Sequence, residues 1–438
     1  MEAVLASADN AQAPMLPTNL NYQLDPQGSF VTGRTERTSF ALVQSASPAG
    51  VKQITYNIAS AQNGWLDPKS VLLSFNIRND GGLPLLPSTC GAHCLFDSLT
   101  VRMSGQEVER MGPGYNRVCE IFTKLSYSPK KREEMAQIGF GTQAVGTATP
   151  NSDAAHVAKQ IPTHQTHRVF MRLDLSSVLG QSKLIPLWAL AQSGLQLVLN
   201  LAPANEAMIT TPAATYSVDY HLEDLRVLFD EVTLQTDLQE SFLSSMLQGS
   251  ALKLYTRSME FHTNYMPADT AGSFTTTMQR AYTRCAALFV LFSKTQADTV
   301  ATAGDNLNNT HYFPTANAQD FEYYANIGSR KIPDQNVVGT KESFYRLQRA
   351  LGVGDSMAHT GSVTAEEYES NCFMLGLDLE SAGEGLIATG ANLSSGSPVQ
   401  FHLKNAGSTA QTVPRIVQTI AVFERIIEIS DTQVQVWE

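Results

Sequence analysis

Few side chains of this sequence fall at spacings that a known kind of chemical site requires. Cys90, His93 and Cys94 place three zinc-ligand types within five residues. A structural zinc site needs a fourth ligand in a tetrahedral position, and no second Cys/His pair has a matching spacing. We therefore interpret these three residues as members of an ordinary loop and predict no metal there.

Two other patterns are weaker. His164 and His167 form a lone H-x-x-H in a polar loop, whereas a helical zinc pair is spaced i, i+4 with a glutamate nearby. The glycine-rich stretch 352–356 follows a helix and lacks the GxxxxGK[ST] pattern of a phosphate-binding loop. The chain also contains no G-x-S-x-G nucleophile motif. These patterns therefore predict neither a metal site nor a phosphate site.

Neighbouring carboxylates occur at 230–231 and 366–367. Adjacent side chains in a strand point to opposite faces, so neither pair can act as acid and base on one substrate. Phe321, Tyr323 and Tyr324 could form a sugar-binding platform, but aromatic residues in a strand more often pack in a core or an interface. The sequence thus predicts no catalytic, cofactor-binding or metal-binding residues.

The composition favours a soluble subunit whose surface other subunits cover. Of the 438 residues, 43% are hydrophobic and only 16% are charged, against about 25% in typical soluble domains. A formal charge of −11 argues against sequence-independent binding of nucleic acid, which needs clustered Lys and Arg. The odd number of cysteines, five, indicates reduced thiols. We find no signal peptide and no apolar run of about 20 residues, which predicts synthesis in the cytosol.

Alternating apolar residues predict strands along most of the chain. Val71, Leu73, Phe75 and Ile77 show the period of two that is typical of a strand with one buried face. In the first half, further strands are predicted at 50–58, 94–103, 168–175, 195–201 and 217–234. In the second half, strands are predicted at 252–262, 273–281, 285–293, 319–327, 372–379, 398–404 and 415–429. Helical spacing predicts helices at 115–125, 237–248 and 341–351. The second helix should have Thr236 or Asp237 as its N-cap and Gly249 at its end.

The order of these elements repeats at an offset of roughly 200 residues. The predicted correspondences are 50–58 with 252–262, 168–175 with 372–379, 195–201 with 398–404, and 217–234 with 415–429. About eight short strands and one helix in each half are typical of a jelly roll, in which two sheets pack face to face. The predicted fold is therefore all-β, with two tandem jelly-roll β-sandwich domains and short helices in loops.

This fold divides the chain into four segments. Residues 1–36 are polar, contain three prolines and are predicted to form an extended N-terminal arm along neighbouring protein. Residues 37–235 form the first jelly roll and 236–250 a helical connector. Residues 251–438 form the second jelly roll with a short C-terminal tail. The first basic residue is Arg34, so the arm is not a basic tail for nucleic acid.

Three parts of the sequence resemble the major capsid proteins of double jelly-roll DNA viruses, most of all those of Polinton-like viruses, virophages and adintoviruses. In FDSLTVRMSGQEVERMGPGYNRVCEIF at 96–122, a Tyr-Asn pair opens the helix. In FEYYANIGSRKIPDQNV at 321–337, a strand ends in Ile-Gly and runs into a Pro-containing loop. NCFMLGLDLES and QTIAVFERIIEIS are similar to the strands that close the second jelly roll. The likeness covers most of residues 37–430, in order.

The resemblance implies a major capsid protein that is not an enzyme and has no cofactor. Three copies would form a homotrimer of pseudo-hexagonal outline, and such trimers would tile the icosahedral shell of a double-stranded DNA virus. The expected partners are further copies of the chain, penton and minor capsid proteins and an internal membrane, without sequence-specific binding of nucleic acid. The expected location is the virion capsid. Loops at 139–163, 295–318 and 352–370 are candidates for its outer towers.

Three alternatives remain open. A tandem jelly-roll carbohydrate-binding protein would require exposed aromatic residues on a concave sheet. A glycoside hydrolase would require two facing carboxylates about 5–9.5 Å apart. A minor capsid protein of the same lineage would share the fold. For the leading interpretation, removal of residues 1–36 is expected to leave the trimer folded and to impair shell assembly.

Overall fold

The computed structural model of the chain consists mainly of antiparallel strands, with helices in the connections. No helix among the residues that it describes is long and apolar enough to cross a membrane. The described residues are 31–60, 64–85, 87, 91–126, 161–190, 194–208, 217–267, 273–294, 321–353, 363, 368–369, 372–380, 390–393, 398–405, 415–430 and 433–438.

The strands follow the chain in one numbered series. They are β1 (Val31–Phe40), β2 (Ser45–Ala46), β3 (Gln53–Ile58), β4 (Trp65–Asn79), β5 (Phe96–Met103), β6 (Gln106–Met111), β7 (Thr166–Met171), β8 (Ile185–Pro186), β9 (Leu195–Leu201), β10 (Tyr220–Leu234), β11 (Leu252–Met266), β12 (Ser273–Met278), β13 (Cys285–Lys294), β14 (Glu322–Ile327), β15 (Arg330–Val338), β16 (Met374–Asp378), β17 (Val399–Lys404), β18 (Arg415–Ile429) and β19 (Val434–Trp437). The helices are α1 (Tyr115–Ser126), α2 (Ser177–Gly180), α3 (Ala204–Ala207), α4 (Thr236–Leu247) and α5 (Gly339–Ala350), and 3-10 helices span Gly91–Leu95 and Leu187–Ala189.

The strands form two pairs of sheets with the same topology. Sheet 1 has the order β1-β10-β4-β7 and sheet 2 the order β3-β9-β5-β6. Sheet 3 has the order β11-β18-β13-β16 and sheet 4 the order β12-β17-β14-β15. The short strands β2, β8 and β19 pair at the side of these sheets. When the other eight strands of each unit are counted in chain order, its first sheet joins strands 1, 8, 3 and 6, and its second sheet joins strands 2, 7, 4 and 5. Each unit is a jelly roll, here named roll 1 (sheets 1 and 2) and roll 2 (sheets 3 and 4).

The alternating apolar residues fill the cores, as the sequence predicts. Val71, Leu73, Phe75 and Ile77 on β4 are all buried, whereas Arg78 on the other face is exposed. One apolar cluster extends from roll 1 into roll 2. A smaller cluster within roll 2 contains the stacked rings of Tyr282 and Phe423, whose centroids are 4.1 Å apart. The rolls therefore share part of their core.

The predicted end of the N-terminal arm at residue 36 is wrong. Residues 31–36 form the first part of β1, which pairs with β10 from Val31 opposite Leu234 to Phe40 opposite Arg226. Eight of the ten side chains of β1 are exposed, so no apolar alternation marks this strand in the sequence. We propose that roll 1 begins at residue 31 rather than 37, and we keep 236–250 as the connector and 251–438 as the second unit.

The extra strand also changes one predicted correspondence. Both β1 and β11 are the first strand of their roll and pair with its last strand, β10 or β18. The predicted match of 50–58 with 252–262 is therefore wrong, because β3 corresponds to β12. The other three predicted matches agree with the strand order: β7 corresponds to β16, β9 to β17 and β10 to β18.

Three local predictions also differ from the structure. After Ile327, a turn at Gly328 leads into β15 instead of a loop, and this edge strand tolerates Pro333. The C-terminal tail contains β19, which pairs with β18. The N-cap of α4 is Gln235, without a side-chain hydrogen bond, rather than Thr236 or Asp237. Gly249 ends that helix with a φ of +90°, as predicted.

Candidate assembly surface

Two of the three candidate zinc-ligand residues, His93 and Cys94, lie in the described part of the chain. His93 and Cys94 are buried in the 3-10 helix, where His93 Nδ1 lies 3.3 Å from the hydroxyl of Tyr115. Burial lowers the pKa of His93, against the smaller opposing effect of the Asp174 charge. Cys90 lies outside the described residues. Within the described ranges, no group of three His, Cys, Asp or Glu side chains is placed to hold a metal ion.

The other sequence motifs have structural explanations. His164 lies at an exposed turn with a φ of +58°, and His167 lies in the exposed first half of β7. Gly352 has a φ of +71° and donates its N–H to the carbonyl of Arg349, while Val353 donates to the carbonyl of Gln348. These two bonds form a Schellman motif, which ends α5. The rest of the glycine-rich stretch, 354–356, lies outside the described residues.

Two of the three aromatic residues at the start of β14 pack in the core. Phe321 and Tyr323 are fully buried, and Tyr323 stacks on Phe401 at 5.7 Å. Tyr324 lies on the outer face, where His402 stacks on its ring at 4.7 Å and the ammonium of Lys331 lies 4.7 Å from its centroid. The ring is thus already engaged by protein groups, which does not favour a sugar platform.

The carboxylates at 230–231 have separate partners. Asp230 pairs with the guanidinium of Arg34 on the outer face. Glu231 is buried, accepts a hydrogen bond from Arg37 Nε at 2.8 Å and also contacts the hydroxyl of Ser60. Residues 366–367 lie outside the described residues. The pair at 230–231 therefore holds strands together and does not face one substrate.

Helix α1 is the centre of the joint between the two rolls. Nine of its twelve residues are buried. The ring of Phe122 packs edge-on against Phe289 of β13, with centroids 5.8 Å apart. Phe289 belongs to a row of buried residues across the outer face of sheet 3, in register with Phe261, Ile420 and Gly376. The helix of roll 1 is therefore covered by a sheet of roll 2.

Polar contacts orient this joint. Gln418 Nε2 donates to the carbonyl of Pro113 at 2.9 Å, and Arg425 Nη1 donates to the carbonyl of Val108 at 2.6 Å. The hydroxyls of Ser177 and Ser258 are 2.8 Å apart. Because Gln418, Arg425 and Ser258 are buried, each of these bonds satisfies a polar group away from water. These directional hydrogen bonds thus fix the position of one roll relative to the other, in addition to the apolar contacts that stabilise the joint.

We expect Gly114→Ala to destabilise this joint by about 3 kcal/mol. Gly114 has a φ of +91°, and an added Cβ would lie 2.0 Å from Nε2 of Gln418. The cost combines backbone strain with loss of the bond to Pro113. Gly105→Ala is the matched control, because Gly105 has a φ of +81° but nothing within 4 Å of the added Cβ. Chemical denaturation should show a clearly smaller loss for the control, about 1 kcal/mol, and equal losses would contradict a role for the close approach.

Helix α5 is the counterpart of α1 in roll 2, but it is covered on one side only. It packs closely on β16, since a Cβ at Gly376 would lie 3.0 Å from the Cα of Leu347. Arg349 Nε contacts Asp378 at 3.0 Å. Only three of its twelve residues are buried, and Tyr345 is 56% exposed on the opposite side.

The outer face of sheet 1 is partly exposed: Ser74 is buried in it, but Phe40 at its edge is not. Phe40, Arg226, Ser74 and Phe170 form a row across its four strands. Phe40 is 62% exposed, with the guanidinium of Arg226 5.5 Å from its ring. Asp224 binds Arg226 through both of its oxygens. Roll 1 therefore presents a mixed aromatic and ion-paired face where roll 2 presents a buried apolar one.

His221 links the ends of β4 and β10 on this face. We expect this link to raise the pKa at which its imidazole titrates. Its two ring nitrogens contact the carboxylates of Asp80 and Glu223, and Arg78 lies 3.6 and 3.9 Å from the same two groups. Burial alone would lower the pKa of His221, but the two carboxylates outweigh it and raise the pKa. Because the folded-state pKa is raised, the link is complete below the ordinary value of about 6.5 and is lost as the pH rises through the raised pKa.

The measurement is an NMR titration of the imidazole signals. His221 should titrate above pH 6.5, and Asp80→Asn should lower its midpoint. His402 is the internal control, because burial lowers its pKa. A midpoint for His221 at or below that of His402 would contradict the link.

The topology defines a class of protein: two jelly rolls in tandem, the double jelly-roll fold. No protein-family model matches the chain, and no curated protein matches it. Solved structures do match. One is VP54 of PBCV-1, a crystal structure fitted into a cryo-EM reconstruction of the virophage Sputnik. It is 13% identical, with 94% of this chain and 98% of that chain covered and a TM-score of 0.61.

Two further solved structures match this chain over a similar share of its length. A chain from the cryo-EM structure of the Sputnik virophage is 11% identical, with 98% of this chain and 92% of that chain covered and a TM-score of 0.60. The major capsid protein of Faustovirus is 7% identical, with 93% and 92% covered and a TM-score of 0.60. The resemblance expected from the sequence is thus confirmed at the level of the fold.

Proposed function

We propose that the chain is the major capsid protein of an icosahedral double-stranded DNA virus and acts as a homotrimer of pseudo-hexagonal outline. One observation carries the proposal: α1 is covered by sheet 3 of its own chain, whereas Tyr345 on one side of α5 and Phe40 on the outer face of sheet 1 are exposed. The shared fold with the Faustovirus major capsid protein over 93% of this chain supports the same function.

Repetition of the internal joint between chains accounts for a closed ring. If sheet 1 of one copy receives α5 of the next, two different surfaces meet, which makes the contact heterologous. Heterologous contacts continue head to tail and close when their rotations complete a full turn. Because each chain supplies two similar units, a ring of six units contains three chains.

The solution mass tests this proposal. Light scattering coupled to size exclusion should give about 143 kDa, three times the 47.7 kDa of one chain. A stable monomer at every concentration would contradict the trimer. Electron microscopy of the purified protein at high concentration should show shells or arrays of trimers, whereas a minor capsid protein should form neither by itself.

Further parts of the proposal concern partners and location. The trimer would contact penton and minor capsid proteins and an internal membrane in the virion capsid, and its role would be structural rather than enzymatic. A sugar-binding panel with a hydrolysis assay should be blank, and binding or turnover would favour the carbohydrate alternatives. The candidate tower loops lie outside the described residues except for 161–163, 352–353, 363 and 368–369, so their outward position stays a prediction.

Residues 31–36 belong to β1, so the N-terminal arm that can be removed without damage to roll 1 ends at residue 30. Removing residues 1–36 would also remove six residues of a paired strand. A loss of shell formation could then come either from misfolding of roll 1 or from the missing arm. We now expect removal of residues 1–30 to leave the trimer folded, with the mass of three shortened chains, and to impair shell formation. Normal shells from this truncated protein would contradict an assembly role for the arm.

A further inference from the structure

Helix α4, between the two rolls, carries an apolar stripe that nothing in the described structure covers. Gln239 and Met246 are buried, and Phe242 packs on Trp65 with centroids 5.2 Å apart. Leu243 and Leu247 flank this buried side but are 39% and 66% exposed. They are four residues apart and therefore neighbours on one face of the helix.

A cleft of about 420 Å³ continues this stripe at the start of the helix. Thr236 and Gln239 of α4 line it, and they lie seven and four residues before Leu243, on the same face. Gln239 is buried and accepts a hydrogen bond from Trp65 Nε1 at 2.7 Å. The remaining walls come from β1, β10 and Gly64. The cleft and the stripe together form one groove along α4.

The first thirty residues of the chain lie outside the described residues, and they enter the structure beside this groove. Val31 is opposite Leu234 in an antiparallel pair, and Leu234 lines the cleft and is separated from α4 only by Gln235. Because the pairing is antiparallel, the chain before Val31 continues in the direction of the first turn of α4.

The sequence of that segment suits the groove. Leu20, Tyr22 and Leu24 alternate with Asn21 and Gln23, which gives an extended chain one apolar side. Alternate side chains of such a chain are about 6.6 Å apart, close to the rise of about 6 Å between Leu243 and Leu247. Residues 25–28, with the sequence DPQG, have Asp, Pro and Gly at the first, second and fourth positions favoured in a type I turn.

We propose that residues 20–24 of the same chain turn back at 25–28 and lie in the groove of α4, with the apolar side chains at 20, 22 and 24 against Leu243 and Leu247. The occupant is the chain's own segment, because only six residues lie between Leu24 and Val31 and the attachment point adjoins the groove. This inference does not depend on the proposed function. It assigns residues 20–24 to the subunit itself and leaves residues 1–19 for other contacts.

The test is the rate of maleimide labelling of a cysteine in the groove. In the full-length chain, Leu247→Cys should react at least tenfold more slowly than Ser245→Cys, an exposed position on the far side of the same helix. Deleting residues 1–24 should bring the two rates within about twofold of each other. The unsubstituted protein is the blank for its five native cysteines.

Two paired variants make the test specific. Replacing Leu20, Tyr22 and Leu24 by serine should expose Leu247→Cys, whereas replacing Asn21 and Gln23 by serine should not. Equal rates for the two cysteines in the full-length chain would overturn the proposal, as would protection that persists after the deletion. Protection restored to a truncated Leu247→Cys chain by refolding it with the unsubstituted full-length chain would assign the segment to a second copy and overturn the same-chain assignment.

Discussion

Tyr345→Glu should yield a folded chain that elutes as a monomer of about 47.7 kDa instead of a trimer. Tyr345 is the exposed aromatic residue of α5, on the side away from the buried Leu347 that packs on β16. Tyrosines at the centre of an interface often contribute 2 kcal/mol or more, and a carboxylate buried there adds a desolvation cost. Because every contact of the ring is equivalent, one substitution weakens all three.

The control is Tyr265→Glu, which makes the same change at a position that is 66% exposed on β11. This variant should keep the trimer mass. Phe40→Glu, on the other side of the proposed contact, should behave like Tyr345→Glu. A trimer in both the Tyr345 and Phe40 variants, with unchanged thermal unfolding, would show that these surfaces do not meet.

Lys124→Ala should lower the free energy of unfolding by about 3–5 kcal/mol, because it breaks a buried ion pair from one side. Lys124 and Glu120 form an ion pair of 2.6 Å in α1, with side chains only 9% and 3% exposed. The substitution removes the cation that compensates a buried carboxylate, and such a carboxylate is costly without it. Urea denaturation measures the loss, and the unfolding transition should move to lower urea concentration with little change in slope.

Two variants calibrate this result. Lys404→Ala removes an ion pair with Glu322 of 3.2 Å whose side chains are 51% and 31% exposed, and it should cost less than about 1 kcal/mol. The double change Glu120→Leu with Lys124→Met removes both charges and should recover most of the stability, because apolar residues can replace a buried pair. A loss from Lys124→Ala no larger than that from Lys404→Ala would contradict the role of burial.

The elements that the sequence predicts correctly are those with one buried face. The alternation from Val71 to Ile77 predicts β4, and helical spacing predicts α1, because burial on one side imposes a period on residue type. β1 and β15 escape prediction because eight of the ten side chains of β1 are exposed and only one of the nine of β15 is buried, so either polar or apolar residues fit there. An edge strand is held by backbone hydrogen bonds to the one strand beside it. Because these bonds do not depend on side-chain type, they produce no periodic pattern of residue types in the sequence.

The candidate assembly surface could be predicted only in part. The resemblance stretch at 96–122 contains α1, yet nothing in its sequence separates a helix covered on both sides from α5, which is covered on one. The row of Phe40, Arg226, Ser74 and Phe170 joins residues up to 186 positions apart, so only the strand register brings it together. Its long sequence separations are the physical reason that inspection of the sequence misses it.

The edge strands β1 and β15 also bear on aggregation. An unpaired strand edge offers free N–H and C=O groups to any other strand, a serious hazard at high protein concentration. β1 carries Arg34, Glu36 and Arg37 along its length, and Pro333 removes an N–H donor from β15. These residues discourage the sheets from growing by strand addition. Concentrated subunits should therefore remain free of amyloid-like polymers. Because the contacts between folded faces then form reversibly, a wrongly placed subunit can dissociate and bind again.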